Sequence, residues 1–301
     1  IKSQVITGEF EGIYSWLSLN LDRIYHDPEQ SEIHDRSLGM IEMGGASIQI
    51  AFELTSEIEN HITSSLESDD AITAYLNEQV NVNVSGDRYV KLFVTTFLGL
   101  GVVSAREFAI DLLVRDHLKD IGKLGNQDSD FVARNSEIVL RDPCLNRGSS
   151  ELVNRPMEVR TSLERTIGFT LKPESSVFTV KLEGTGNYSD CINLLERVLQ
   201  ESKLSQLNCL PGRSSCPMTL LGESFIPYQH YTFAGLSEMF FTTSEMVCSS
   251  EQFDRNQVED ETIRICHSDY QDLIVKYSHS GLVKQHDRVQ HQCFRSSWLL
   301  T

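Results

Sequence analysis

Several features that mark particular classes of protein are missing from this sequence. No apolar run approaches the roughly 20 residues that a membrane-spanning helix needs, and no signal peptide opens the chain. Basic residues are few, since 26 lysines and arginines stand against 43 aspartates and glutamates, for a formal charge of −17. This balance argues against the phosphate backbone of a nucleic acid as a partner. An anionic substrate would need a divalent cation held among carboxylates to reverse the local charge.

Closely paired cysteines are missing as well. The 7 cysteines all lie from residue 144 onward, and none has the Cys-x-x-Cys spacing typical of zinc ribbons and redox motifs. Scattered cysteines indicate disulfides formed in an oxidising compartment, and glycosylation sequons at Asn83 and Asn187 agree with such a compartment. Spacing alone leaves the disulfide connectivity open.

The length of the chain allows one large domain or two smaller ones, because 301 residues with 40% hydrophobic content can bury a substantial core. The sequence has no internal repeat and no low-complexity segment. It begins within a patterned segment and ends directly after the apolar run Trp298-Leu299-Leu300, so we expect a fragment of a longer protein.

Apolar periodicity predicts a mixture of strands and helices. A helix is expected from Gly12 to Tyr25, with Glu11 at its N-terminus. Strand patterns lead into helical patterns twice, and two further helical stretches follow: strands at 88–99 and 177–182, helices at 103–118, 188–204, 237–248 and 290–300. This mixture indicates an α/β fold rather than a sandwich or a helical bundle.

Residues 38–54 predict a β-hairpin with a Gly-Gly turn at 44–45. In the second strand, Ser47 and Gln49 alternate with isoleucines, so the two kinds of side chain point to opposite faces. We expect the isoleucines in the core and the polar pair facing a cleft, although any half-exposed strand shows such alternation.

Two segments carry a family pattern. Residues 6–16 read ITGEFEGIYSW, in which a Glu-Gly pair precedes an aromatic residue and tryptophan, and residues 39–50 read GMIEMGGASIQI. The first resembles the third signature region of the apyrase (nucleoside triphosphate diphosphohydrolase) family, and the second resembles the fourth, usually written D-x-G-G-A-S-x-Q. The resemblance continues at 96–106, 142–145, 184–188, 233–242 and 293–298. Details of these later segments are similar to the Golgi or lysosomal nucleoside-diphosphatase branch.

The resemblance implies an α/β, actin-like, ribonuclease-H-related, two-lobed fold with the active site in the cleft between the lobes. Residues 1–10 would then form the crossover between lobes, and residues 11–301 the second, C-terminal lobe. The N-terminal lobe, with the first phosphate-binding loop of the family, would be absent from the chain. We therefore expect the chain by itself to be inactive.

The resemblance also implies hydrolysis of nucleoside di- or triphosphates with Ca²⁺ or Mg²⁺ as cofactor. Glu11 corresponds to the catalytic base, and Ser47 and Gln49 to residues that hold the attacking water. Glu42 stands where the family usually has Asp, which reaches the metal through water. A glycine turn lacks the Cβ atoms that would keep phosphate oxygens from backbone N–H groups. The phosphate-binding amides would be those of Gly44, Gly45 and Ala46.

For the cysteines, the family pattern suggests three disulfides and leaves Cys248 unpaired. The suggested pairs are Cys144–Cys191, Cys209–Cys216 and Cys266–Cys293. The resemblance further implies the lumen of the Golgi or lysosome, or the extracellular space, with a membrane anchor in flanking residues. It gives neither the oligomeric state nor the preferred nucleoside.

Each motif taken alone has a plainer interpretation. Glu11 by itself suits a helix N-terminus, where the helix dipole favours a carboxylate, and a lone Gly-Gly hairpin is usually only a turn. The segment Gly184-Thr185-Gly186 is interpreted as a strand-to-helix turn that could also approach phosphate. Phe233, Phe240 and Phe241 favour core packing over base stacking, and Ala234 stands where relatives have a base-stacking tyrosine.

Two other functions remain open from the sequence. An exopolyphosphatase or guanosine pentaphosphate phosphohydrolase shares a similar pattern, but such enzymes usually carry Glu-Ala-Arg rather than Glu11-Gly12. A secreted binding protein with a dead active site is the non-enzyme alternative, favoured by Glu42 and Ala234.

Overall fold

The computed structural model describes residues 5–25, 37–65, 75–85, 88–123, 137–156, 177–206, 232–246, 252–277 and 286–301. The chain divides into two compact units: a first unit of Ile1–Ser104 with Gln200–Phe240, and a second unit of Ala105–Leu199 with Phe241–Thr301. Strands and helices occur in both, so the α/β class is confirmed. The division into a crossover segment and a second lobe stays a prediction.

The helices and strands of the described residues follow one another with short or undescribed connections. In chain order they are α1 (Gly8–Tyr25), β1 (Gly39–Met43), β2 (Ser47–Glu53), α2 (Ser56–Ser65), β3 (Gln79–Ser85), β4 (Arg88–Leu98), α3 (Val102–Lys123), β5 (Glu137–Asp142), β6 (Ser150–Pro156), β7 (Val177–Gly184), α4 (Tyr188–Gln206), β8 (Phe233–Ser237), α5 (Glu238–Met246), α6 (Arg255–His267), α7 (Tyr270–Tyr277), α8 (His286–Gln290) and α9 (Gln292–Leu300).

The first unit contains a sheet whose described strands are ordered β3-β4-β2-β1-β8. β1 and β2 form the predicted hairpin, β2 and β4 are antiparallel, and β8 joins β1 in parallel. Helix α1 covers one face of this sheet with Ile13 and Trp16, which pack with Met40, Ala51 and Val94. Burial of such large apolar side chains contributes about 1.5–3 kcal/mol each.

The opposite face of this sheet is aromatic. The rings of Phe52 and Phe93 stack with centroids 5.1 Å apart, and Tyr75 stacks on Phe93 at 6.0 Å. Both faces of β2 are therefore covered from Gln49 to Phe52, whereas Ser47 and Ile48 at its start are half-buried. The end of the strand beside the glycine turn is therefore the more accessible part of its polar face.

Helix α1 begins four residues before the predicted start at Gly12. The Thr7 hydroxyl accepts a hydrogen bond from the N–H of Phe10 (3.4 Å), which caps the new N-terminus. A Cβ on Gly8 would collide with Thr96, and one on Gly12 would lie 2.8 Å from Val94 Cγ1. Glycine fits at both positions because α1 packs closely on β4. Glu11 lies in the first turn of this helix.

The second unit contains a smaller sheet, ordered β5-β7-β6, in which β5 and β7 are parallel and β6 is antiparallel to β7. Helix α3 packs on it through an apolar stripe. The cluster contains Ile110, Val114, Leu118, Ile138, Leu140, Leu145, Val180 and Leu182. The helix extends to Lys123, so the predicted end at residue 118 was too early.

The glycines of the turn between β7 and α4 serve protein packing. A Cβ on Gly184 would collide with the carbonyl oxygen of Asn146, and Gly186 has a φ of +58 with a virtual Cβ 2.6 Å from the carbonyl of Cys266. The turn is thus pressed against neighbouring backbone, which explains its small residues without a phosphate.

Two disulfides lie in the described part of the second unit. Cys144 is joined to Cys191, and Cys266 to Cys293. These are two of the three pairs that the family pattern suggested. The third suggested pair, Cys209–Cys216, and the leftover Cys248 lie outside the described residues.

The region after residue 232 differs from the prediction of a helix over 237–248. Residues Phe233–Ser237 form β8, and α5 starts only at Glu238. Ser237 has a φ of 56 at this junction. Phe233 packs edge-on against Phe52 at 6.1 Å, as expected for a core residue, but Phe240 and Phe241 are exposed.

Candidate active site

Gln49 brings three of the predicted site residues together. Its amide nitrogen donates hydrogen bonds to Glu11 Oε2 at 3.0 Å and to Ser47 Oγ at 2.7 Å, with Thr96 Oγ1 at 3.3 Å. These side chains come from α1, β2 and β4: β2 and β4 are paired with Gln49 opposite Thr96, and α1 packs across both strands. The structure therefore assembles Glu11, Ser47 and Gln49 at one place.

The carbonyl oxygen of the same carboxamide has no hydrogen-bond partner among the described residues, and Gln49 is fully buried. A buried acceptor left unpaired costs about 1–3 kcal/mol. A water molecule or ligand group at this position would remove that penalty. Because the hydrogen bonds to Glu11 and Ser47 orient the amide nitrogen, the amide oxygen is left for a water molecule or ligand group.

The Glu11 carboxylate is half-buried beside this amide. Its pKa is raised above the usual value, first by burial and second by the charge of Glu42. A raised pKa makes a carboxylate a stronger base toward water, provided that the pH keeps it ionised.

Glu42 is held by two serine hydroxyls. Ser15 Oγ donates to one carboxylate oxygen at 2.5 Å, and Ser237 Oγ donates to the other at 2.7 Å. In the sheet, Glu42 lies directly opposite Gln49 in register. The longer side chain, where the family usually has Asp, thus spans from β1 to both α1 and the end of β8, and each oxygen keeps a further lone pair for water.

The glycine turn is fixed through its carbonyl groups. The carbonyls of Gly44 and Gly45 accept from the N–H groups of Val102 (3.0 Å) and Val103 (2.8 Å), and that of Ala46 accepts from Gly99 at 2.8 Å. Among the described residues, the N–H groups of Gly45 and Ala46 have no backbone acceptor. These two residues are exposed, and backbone N–H groups of a turn are suited to an anion.

Gly101 allows this turn to approach the start of α3. A Cβ at that position would lie 2.5 Å from the backbone nitrogen and carbonyl carbon of Ala46, and closer still to the nitrogen of Ser47. No side chain fits there without moving the turn. The glycine belongs to the segment at 96–106 that carried the resemblance.

The donor set consists of oxygen atoms, as Mg²⁺ and Ca²⁺ prefer. Within the described ranges, no group of three or more histidine, cysteine or acidic side chains could hold a metal ion directly. The orphan Gln49 oxygen and the hydroxyl-held Glu42 fit a hydrated cation bound mainly by water and substrate oxygens.

Four residues at the site escaped assignment from the sequence. Thr96 lies in a segment noted for its resemblance but was given no role, and Ser15 and Gly101 likewise lie in such segments. Ser237 was placed in a helix. A signal existed for each in the motif segments, but only the fold places Ser15 and Ser237 on the Glu42 carboxylate.

The carboxylate of raised pKa lies beside an amide whose oxygen has no partner among the described residues, and the exposed glycine turn follows in the same hairpin. Such an arrangement is suited to activating water beside an anion. The chain matches the GDA1/CD39 (nucleoside phosphatase) family over residues 2–301, and it belongs to that family.

Named relatives agree with this membership. The chain is 26% identical over 316 residues to mouse ectonucleoside triphosphate diphosphohydrolase 7, covering 99% of the chain and 46% of the relative. It is 27% identical over 311 residues to the nucleoside-diphosphatase mig-23 of Caenorhabditis elegans, covering 98% and 48%. It is 27% identical over 303 residues to the Golgi apyrase of Saccharomyces cerevisiae, covering 99% and 41%. The predicted resemblance to the apyrase family, including its Golgi branch, is confirmed.

The chain spans about half the length of these curated relatives. Among solved structures it is similar to the nucleoside triphosphate hydrolases from Neospora caninum, with 17% identity, a TM-score of 0.47, and coverage of 88% of the chain and 51% of that structure. None of the described helices is long and apolar enough to cross a membrane.

Proposed function

We propose that the full-length protein hydrolyses nucleoside di- or triphosphates at the Glu11 site. The observation that carries this proposal is the buried Gln49 carboxamide, whose nitrogen contacts Glu11 and Ser47 and whose oxygen lacks a partner. An amide fixed in this way holds a water molecule next to a carboxylate of raised pKa. Membership in a nucleoside phosphatase family supplies the class of substrate.

In this mechanism Glu11 accepts a proton from the attacking water, and Gln49 Oε1 accepts a second hydrogen bond from the same water. Ser47 Oγ, already bound to the Gln49 nitrogen, fixes the orientation of that amide. The N–H groups of Gly45 and Ala46 take up charge that develops on the phosphate oxygens. Gly44 contributes by letting the turn approach phosphate without a Cβ.

The proposed cofactor is Mg²⁺ or Ca²⁺, which would neutralise phosphate charge when bound. Glu42 would reach it through water, since Ser15 and Ser237 already occupy one acceptor position on each carboxylate oxygen. The net charge of −17 makes such a cation useful to an anionic substrate.

The test compares two carboxylates of the first turn of α1 in the full-length protein. Glu11→Gln removes the proton acceptor, so we expect kcat for nucleoside diphosphate to fall by about 10²–10⁴-fold. Glu9→Gln is the matched control, because Glu9 is exposed in the same turn and should leave kcat within about twofold. Equal rates for the Glu11→Gln variant and the parent protein would refute the role of Glu11.

Substrate preference separates the remaining alternatives. Phosphate release from nucleoside di- and triphosphates, but not from polyphosphate or guanosine pentaphosphate, is the expected result. Release from polyphosphate alone would favour the exopolyphosphatase alternative. Tight nucleotide binding without any release, with and without added cation, would favour a binding protein.

We also propose that the protein resides in the lumen of the secretory pathway or outside the cell, with a membrane anchor elsewhere in the full-length protein. The two disulfides of the second unit support an oxidising compartment. Fractionation of cells that express the full-length protein tests both points.

A further inference from the structure

The two glycosylation sequons lie in different structural settings. Asn83, in the sequence Asn-Val-Ser, is exposed on β3, one of the two edge strands among the described strands of its sheet. The valines of β3 turn toward the apolar cluster under α1, so Asn83 points to the opposite face. An enzyme approaching this strand edge would meet an exposed asparagine.

Tyr89 lies directly across from Asn83 in the register of β3 and β4. Directly opposed residues of an antiparallel pair have Cβ atoms about 4.5–5.5 Å apart. The tyrosine is nevertheless 64% exposed, which is unusual for a large aromatic side chain at a strand pair. A sugar attached to Asn83 could lay the C–H groups of its apolar face on the negative face of this ring.

Asn187, in the sequence Asn-Tyr-Ser, is instead the N-cap of α4. Its side-chain oxygen accepts from the N–H of Asp190 at 3.2 Å, and its amide nitrogen donates to the Asp190 carboxylate at 2.7 Å. Its backbone N–H donates to Pro143 (3.0 Å), and its carbonyl accepts from Cys191 at 2.9 Å. This asparagine is only half-exposed, and both ends of its amide already have partners.

We propose that Asn83 carries an N-linked oligosaccharide whose first N-acetylglucosamine lies on Tyr89, and that Asn187 is not glycosylated. In the transfer, Asn83 Nδ2 bonds to C1 of the sugar of a lipid-diphosphate-linked oligosaccharide. The bond between C1 and the diphosphate oxygen breaks, the lipid diphosphate leaves with that electron pair, and one amide proton goes to a base of the transferase.

Such a glycan has a structural consequence for the sheet. An outermost strand presents unpaired N–H and C=O groups that can pair with another chain, and bulky polar groups prevent this pairing. An oligosaccharide at Asn83 would shield the end of β3 nearest its connection to β4. The proposal concerns a site away from Glu11, so it does not depend on hydrolytic activity.

The first experiment expresses the full-length protein through the secretory pathway of a eukaryotic cell and measures the mobility shift on treatment with peptide N-glycosidase. Sequons outside these 301 residues are removed by Asn→Gln beforehand. We expect one glycan, lost in Asn83→Gln and in Ser85→Ala, and kept in Ser85→Thr and Asn187→Gln. A glycan that persists in both Asn83→Gln and Ser85→Ala, is lost in Asn187→Gln, or is absent from the parent protein overturns the proposal.

The second experiment tests the contact with Tyr89. Endoglycosidase H leaves the first N-acetylglucosamine on Asn83, whereas complete removal converts the asparagine to aspartate. We expect a higher Tm for the protein with one sugar than for Asn83→Asp, and a smaller difference between these two forms when Tyr89→Ala is also present. An equal difference with and without Tyr89→Ala would refute the stacked arrangement.

Discussion

The carboxamide of Gln49 is oriented through its nitrogen, and its oxygen is left for a ligand. Thr96 supplies the most distant of the three acceptors around that nitrogen, at 3.3 Å. Its side chain carries no charge. Its proposed effect on the reaction is therefore indirect, through the orientation of Gln49.

Thr96→Val keeps the shape of the side chain but removes the acceptor. One hydrogen bond contributes about 0.5–1.5 kcal/mol, so we expect kcat to fall by roughly 2–10-fold with KM little changed. Thr96→Ser retains the hydroxyl and should keep kcat close to the parent value. Steady-state kinetics with nucleoside diphosphate measure both, and equal losses in the two variants would indicate a packing effect instead.

Glu78 provides a test of stability against pH. Burial raises the pKa of this carboxyl to about 7, with a smaller opposite effect from the Thr95 hydroxyl and a further increase from the charge of Glu9. A carboxyl whose folded-state pKa is raised stabilises the protein when protonated. That stability is fully present below the unfolded pKa near 4.5 and is lost as the pH rises to about 7.

Glu78→Gln removes this dependence, because a glutamine stays neutral at every pH. We expect the variant to gain stability relative to the parent protein at pH 8 and to show little gain at pH 4. Urea unfolding midpoints at the two pH values measure the difference. Glu57→Gln, at an exposed position of α2, is the control. A gain for Glu78→Gln that is the same at both pH values would contradict the pKa shift.

Single residues were predictable from the sequence where a short motif fixed them. Glu11, Ser47 and Gln49 belong to two segments whose order and spacing carry the family pattern, and the fold brings them together. Ser237 was not predictable, because it reaches Glu42 only through the pairing of β1 with β8. Local sequence contains no information about a partner so distant in the chain.

Among the elements, the hairpin turn and the start of α3 are joined by backbone hydrogen bonds. The first N–H groups of α3, which an isolated helix leaves without partners, donate to the carbonyls of the turn. The N-terminus of α3 thus holds the turn through its carbonyl groups. In the part of the chain that the structure describes, the N–H groups of Gly45 and Ala46 are left without a backbone acceptor. Gly101 is the point at which the two segments touch.

Gly101→Ala places a methyl group against the backbone of Ala46 and Ser47, which cannot rotate away. We expect a destabilisation of about 1–3 kcal/mol and a weaker affinity for phosphate-containing ligands. Gly44→Ala is the control for stability, since its Cβ would meet only the carbonyl of Ser47 at 3.5 Å. Chemical denaturation of the two variants measures the effect, and equal stability would show that the turn can shift.

The elements with a strong apolar period were predictable, as α1, α3, α4 and the β1–β2 hairpin illustrate. β3 was not predicted, although its alternating Val and Asn carry the period of a half-buried strand, because asparagine has a low strand propensity. β8 contains Ala and Gly and becomes a strand only through its pairing with β1. In both cases tertiary contacts outweigh the local preference.

For the molecule as a whole, we expect the disulfides of the second unit to contribute measurably to the free energy of unfolding. Replacing Cys144 and Cys191 together by alanine should cost about 2–5 kcal/mol, because the bond joins residues separated by 47 positions. Trp298 is buried in this unit, so its fluorescence in a Trp16→Phe background reports the unfolding. Cys248→Ala is the control, and an unchanged midpoint for the double variant would refute the contribution of this disulfide.

The two units are interleaved along the chain, since the first resumes at Gln200 after most of the second has passed. During translation, β1 therefore leaves the ribosome about two hundred residues before its parallel partner β8. At a synthesis rate of about 5–20 residues per second, the edge of β1 that later pairs with β8 stays unpaired for roughly 10–40 s. We expect nascent chains caught in this interval to depend on chaperones that bind an unpaired strand.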